Sequence, residues 1–323
     1  MIDEATFHAD VDYIESLWQR KSVGAIDMPI IDIGTGQPLV FVPILEHLEF
    51  VYARQVRAFS QSRRVILYRR RETRTRPVGL AERAEELRHV LDSLGLEQVD
   101  FVGHGDAAMV LFEFAVRYPL RCRSLVIIAQ GADYQIAPHP FIWFLHELYA
   151  RLPVEHFLPA WFLRRTVINY ITAKRNVGRE DISPPDTFSL SGVSRGSSPP
   201  PYQNVSGREL EAGKQSPQPR TLPRALIEEQ FRKIAQWPFV YRFSVIPVIH
   251  LYDMRKHLDG LTMPILLINR ADDVLSPEPK TRWLAEHLPN CAGYHVIPGG
   301  ERFFMYSEAE KVNSLIEQFL AAL

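Results

Sequence analysis

Three polar residues stand just beyond short apolar runs, and each could take part in chemistry. Asp106 follows the run that closes at Val102 and opens a helical pattern, Asp273 follows Ile265 to Asn269, and Arg302 follows the run that closes at Ile297. A carboxylate can serve as a general base or, suitably placed, as a nucleophile. An arginine stays protonated at any relevant pH, so it can pair with an anion but cannot accept a proton. Gly105, immediately before Asp106, has no side-chain oxygen with which to attack a carbonyl carbon. His47, His104, His139, His146 and His250 could move a proton near neutral pH, but sequence alone does not place them beside the carboxylates.

The elements that would carry these residues follow from periodicity. Short runs rich in Val, Ile and Leu alternate with helical patterns, which predicts an α/β fold with a mostly parallel sheet covered on both faces. Strands are expected at 39–42, 65–68, 99–102, 124–129, 265–269 and 293–297. Helices are expected at 81–94, at 107–117, and at 309–323 with Val312, Leu315, Ile316, Phe319 and Leu320 on one face. Between 133 and 262 the alternation gives way to aromatic, helical sequence such as 141–145 and 161–163, which reads as a lid. Inside it, 174–223 is rich in Ser, Pro, Gly and charge and is expected to be disordered, having too little apolar surface to offset the entropy of ordering. The expected layout is core 1–132, cap 133–262 and core 263–323.

Outside the cap, order and spacing over almost the whole chain resemble the α/β-hydrolase superfamily, in its cap-bearing form. Phe101-Val102-Gly103-His104-Gly105-Asp106-Ala107-Ala108 is similar to the G-x-S-x-G nucleophile elbow, with Gly105 where the family has serine. The segment 264–277 resembles the family's acid-bearing segment, with Asp273 at the acid position. Ile297-Pro298-Gly299-Gly300-Glu301-Arg302-Phe303-Phe304 resembles the segment that bears the histidine, with Arg302 in its place. The resemblance implies a doubly wound sheet with a helical cap. It also implies a pocket lined by Ile44, Leu45, His104, Asp106, Arg302 and Phe303, with Asp273 and Asp106 as the remaining catalytic candidates. Serine-histidine chemistry is not expected from this set, and the family's His-Gly pair is absent from the early loop 41–47.

Several positions admit two readings. Asp273 is either the surviving acid or a turn-capping carboxylate before Pro277. Arg302 facing Asp273 would form a tie between two loops, partly exposed and worth little, or a cationic anchor for an acidic ligand. Asp106 as a shifted nucleophile would lie about 100° round and about 1.5 Å along the helix from the usual position. Misplacement on that scale costs about a hundredfold in rate. The basic run Arg63, Arg64, Arg69, Arg70, Arg71, Arg74 and Arg76 would attract an anionic ligand, or form a solvated loop balanced by Glu72, Glu82, Glu85 and Glu86.

Bulk properties narrow the partners. With 323 residues, 46% hydrophobic content and a net charge of −1, the chain can bury a full core and gives no support to nucleic acid as a partner. Cys122 and Cys291 are too few for a disulfide scaffold and lack metal-ligand spacing, so no cofactor or metal is expected. The acidic N-terminal residues and the lack of a run of about 20 apolar residues predict a cytoplasmic protein without a membrane partner. Three functions remain open: a binder of a small, largely apolar molecule beneath the cap, a hydrolase built on Asp106 and an unplaced histidine, and an interaction protein with a vestigial pocket. The sequence leaves the oligomeric state undetermined.

Overall fold

Eight short runs, most of them rich in apolar residues, form the strands of one sheet. In chain order they are β1 Gln19–Val23, β2 Ile26–Ile33, β3 Pro38–Phe41, β4 Arg64–Tyr68, β5 Val99–His104, β6 Cys122–Ile128, β7 Ile265–Arg270 and β8 Cys291–Ile297. The computed structural model describes residues 2–44, 48–71, 76–133, 159, 161, 243, 245–249, 252–273, 275–299 and 302–323. Most of the expected cap, and all of 174–223, lie outside the described residues.

The spatial order is β1-β2-β4-β3-β5-β6-β7-β8. β1 with β2 and β2 with β4 pair antiparallel; every other neighbouring pair is parallel. The expected doubly wound, mostly parallel sheet is therefore present, and each of the six expected strands falls within two residues of its observed bounds.

Helices cover the sheet: α1 Glu4–Ser16, α2 Ala53–Phe59, α3 Leu80–Ser93, α4 Asp106–Arg117, α5 Glu278–His287 and α6 Ala309–Ala321. α6 buries Val312, Ile316, Phe319 and Leu320, the face its spacing predicts, against α2 and β7. α1 is capped by Asp3, whose carboxylate accepts from the Thr6 N–H at 2.7 Å. It is held by the buried Asp10, which accepts from Arg54 Nε (2.9 Å), Arg57 Nη1 (2.8 Å) and the Tyr306 hydroxyl (2.9 Å). Among the described residues no helix is long and apolar enough to cross a membrane.

β5 lies between β3 and β6, with all six of its residues buried, and so places its C-terminal end in the middle of the sheet. In open α/β sheets that edge is where ligands bind. α4 leaves directly from it.

Candidate active site

The elbow needs two glycines for two reasons. Gly103 lets α4 pack on β5, since a Cβ there would lie 2.7 Å from Leu111 Cδ1 and 2.9 Å from the Ala108 nitrogen. Gly105 turns the chain at φ 59° and ψ −122°, with its N–H bonded to the Ile128 carbonyl at 2.9 Å and its own carbonyl accepting the Ala108 N–H at 3.0 Å. A side chain at that φ costs about 1–3 kcal/mol, which glycine avoids.

A side chain at 105 would run against an arginine. A Cβ on Gly105 would lie 2.7 Å from Arg302 Nη2. Arg302 Nη1 donates to both oxygens of Asp273, at 3.0 and 3.1 Å, and Nη2 reaches the Ala129 carbonyl at 3.4 Å. The expected ion pair therefore exists, but its expected exposure does not: Asp273 is 4% and Arg302 8% exposed. Asp273 Oδ1 also accepts the Leu275 and Ser276 N–H groups, both at 2.8 Å. The carboxylate thus caps its turn as well as holding the guanidinium. Ser276 Oγ donates to the Ala129 carbonyl at 2.8 Å, and Ala129 is itself left-handed, at φ 54°.

His104 secures the same loop from below. Its Nε2 lies 2.8 Å from the Arg302 carbonyl oxygen, which can only accept, so Nε2 carries the proton. Nδ1 has no partner among the described residues. Burial, aided by the Arg302 charge, pushes the imidazole down to about 3, so it is neutral at physiological pH. Phe303 packs beside it, with ring centroids 5.9 Å apart, and against Phe50 at 6.4 Å.

A histidine depressed in the fold binds protons only when the chain unfolds, so it withdraws stability as pH falls below the unfolded value of 6.5 toward about 3. His104→Gln keeps a donor for the Arg302 carbonyl and removes this titration. Between pH 6.5 and 5 the wild type should lose about 1.5 kcal/mol more than this variant in urea unfolding. Equal losses would show that His104 does not titrate in this way.

Asp106 faces a second arginine. Its Oδ2 accepts from Arg70 Nη1 at 3.0 Å, while Oδ1 has no partner among the described residues. Burial raises the carboxyl above its ordinary range, and Arg70 opposes the shift. Within the basic run the structure departs from a solvated loop at Arg70, whose side chain is 1% exposed, while Arg71 and Arg76 are exposed. Arg69 lies over the Trp18 ring at 4.4 Å and pairs with Glu15 at 2.6 Å; Arg76 pairs with Glu82. Asp106 has the partner of a structural ion pair; a histidine bonded to it is not found among the described residues.

Of the remaining expected pocket residues, Ile44 is buried near the end of β3, and Leu45 lies outside the described residues, as do His47, His139, His146 and His250. Arg70 and Ala129 are site residues that the sequence reading does not single out in these roles. For Arg70 a signal existed: it stands two residues beyond Tyr68, at the same sheet edge as Gly105.

No protein-family model matches the chain. It is 24% identical over 276 residues, covering 84% of this chain and 85% of the relative, to a Caulobacter sp. (strain K31) protein named "Putative carbamate hydrolase RutD". Among solved structures it resembles a thermophilic esterase from Thermogutta terrifontis, with TM-score 0.65, 17% identity and coverage of 94% of this chain and 98% of that one. It also resembles the enol-lactonase from Burkholderia xenovorans LB400, with TM-score 0.64, 16% identity and coverage of 94% and 100%. Sheet order, the strand-elbow-helix at Gly105 and this likeness agree: the chain is an α/β-hydrolase-fold protein.

Proposed function

We propose that this chain uses the hydrolase scaffold to bind a small, largely apolar molecule beneath its cap, in the cytoplasm, without forming an acyl-enzyme. The observation that carries the reading is the position of Arg302 Nη2, 2.7 Å from where a Cβ on Gly105 would stand. A glycine cannot attack, and a guanidinium tied to Asp273 cannot take the proton that an attacking hydroxyl must lose. Asp106 is no ready substitute, since Arg70 holds its carboxylate. Any transformation of the ligand would be one that needs no nucleophile, such as a proton transfer or a decarboxylation.

The test is steady-state turnover of a panel of short-chain esters, an epoxide and a haloalkane by the wild type and by Asp106→Ala. Flat traces throughout are expected; turnover that disappears in Asp106→Ala would establish the Asp106-centred hydrolase instead.

The double variant Gly105→Ser/Arg302→His restores two missing groups. It should show ester turnover at least about a hundredfold below that of a complete site, because one lost oxyanion donor alone costs about 10²–10³ in rate. The family's His-Gly pair is also absent from the early loop 41–47, so the second donor is not restored.

A further inference from the structure

We propose that the elbow is a carboxylate-binding site, in which the Nε/Nη2 edge of Arg302 grips the carboxylate of a small monocarboxylate ligand at the N-terminus of α4. The proposal rests on the reading that this site binds rather than acylates, and it names the chemical class of the ligand.

A guanidinium carries five N–H donors, and the Nε–H and one Nη2–H lie parallel along one edge, spaced to meet both oxygens of a carboxylate. In this chain the opposite end is occupied: Nη1 donates to both oxygens of Asp273, at 3.0 and 3.1 Å. The edge turned toward Gly105 is the Nε/Nη2 edge, with Nη2 2.7 Å and Nε 3.9 Å from the position of a Cβ there. That edge is barely used. Nη2 has one acceptor, the Ala129 carbonyl at 3.4 Å, beyond the usual range, and no bond from Nε is found among the described residues. An arginine more than nine-tenths buried thus presents its carboxylate-matching side to the place where the fold does its chemistry.

Two further features suit an anion there. Any side chain at 105 would stand in front of the fork, and glycine leaves it open. Among the described residues the first bonded N–H of the α4 turn is that of Ala108, so the N–H groups of Asp106 and Ala107 lie at the N-terminal end of a 12-residue helix, where its dipole favours negative charge. The Asp106 carboxylate does not fill this role, because its Oδ2 is bound to Arg70 at 3.0 Å.

The test is isothermal titration calorimetry of the full chain with butyrate, benzoate and phenylacetate, each against its neutral amide. At least one acid should bind about tenfold or more tightly than its amide. Gly105→Ala, which sets a methyl against Nη2, should abolish that preference. So should Arg302→Lys, which keeps the charge beside Asp273 and lacks the fork. A single cooperative thermal transition in either variant, even at a lower melting temperature, shows that the fold survives, and either one suffices.

Three results would overturn the proposal: acids that bind no better than amides, a preference that survives in a folded variant, or no heat from any acid. Equal binding of acid and amide leaves the binding reading standing and removes only the carboxylate. Ester turnover in the panel above removes the binding reading itself.

Discussion

Asp273→Ala is expected to lower the free energy of unfolding by about 3–5 kcal/mol, the usual cost of stranding one member of a buried ion pair. Arg302 would keep its charge in a site that leaves it 8% exposed, with the Ala129 carbonyl at 3.4 Å as its remaining acceptor. The Leu275 and Ser276 N–H groups, which both bond Asp273 Oδ1, would lose their acceptor as well. Asp27→Ala is the control: its partner Arg20 is 69% exposed, and breaking such a pair costs at most about 1 kcal/mol. Adding Arg302→Met to Asp273→Ala should recover part of the loss, because an apolar side chain removes the unpaired charge. Urea denaturation measures all three; equal losses for Asp273→Ala and Asp27→Ala would mean that the pair is not buried in solution.

The second large effect is expected at Arg70→Met. This substitution leaves the Asp106 carboxylate buried and unpaired, at a cost again of about 3–5 kcal/mol near pH 7.5. Burial already raises this carboxyl, and Arg70 is the chief opposing charge, so its removal raises the pKa further. A carboxyl raised in the fold contributes stability that is complete below its unfolded pKa and is lost as pH rises through its folded pKa. The gap between wild type and Arg70→Met should therefore narrow as pH falls from 7.5 toward 4.5. A gap that is constant, or widest in acid, would contradict this account of the pair.

How legible these features were depended on how local their causes are. The inner strands of the sheet are β-branched and leucine runs buried on both faces, so periodicity places each within two residues. β1 and β2 escaped it: Gln19-Arg20-Lys21 is an exposed edge whose polar residues hide the pattern, and Pro29 interrupts Ile26–Ile33. α1 was also missed, although Asp3 as its cap and Phe7, Val11 and Ile14 on one face were there to be read.

At the site, Gly105, Asp273 and Arg302 were legible because the family's spacing marks those three positions. The pairing of Arg70 with Asp106 was not, since it joins residues 36 apart. Its place two residues beyond Tyr68 puts Arg70 at the sheet edge of the elbow, but its burial is a tertiary matter, decided by β4 lying between β2 and β3 with β5 next in the sheet. The Arg302–Asp273 pair is buried in the same way, by tertiary placement: it joins the loops after β7 and β8, which lie on one side of β5 in the sheet.

The central claim, that a guanidinium stands where a nucleophile would act, is tested most directly by stopped-flow mixing of the wild-type chain with p-nitrophenyl butyrate. The account predicts no burst of p-nitrophenolate and a steady rate equal to that of buffer, because without a nucleophile no acyl-enzyme accumulates. A burst approaching one equivalent per chain would contradict it.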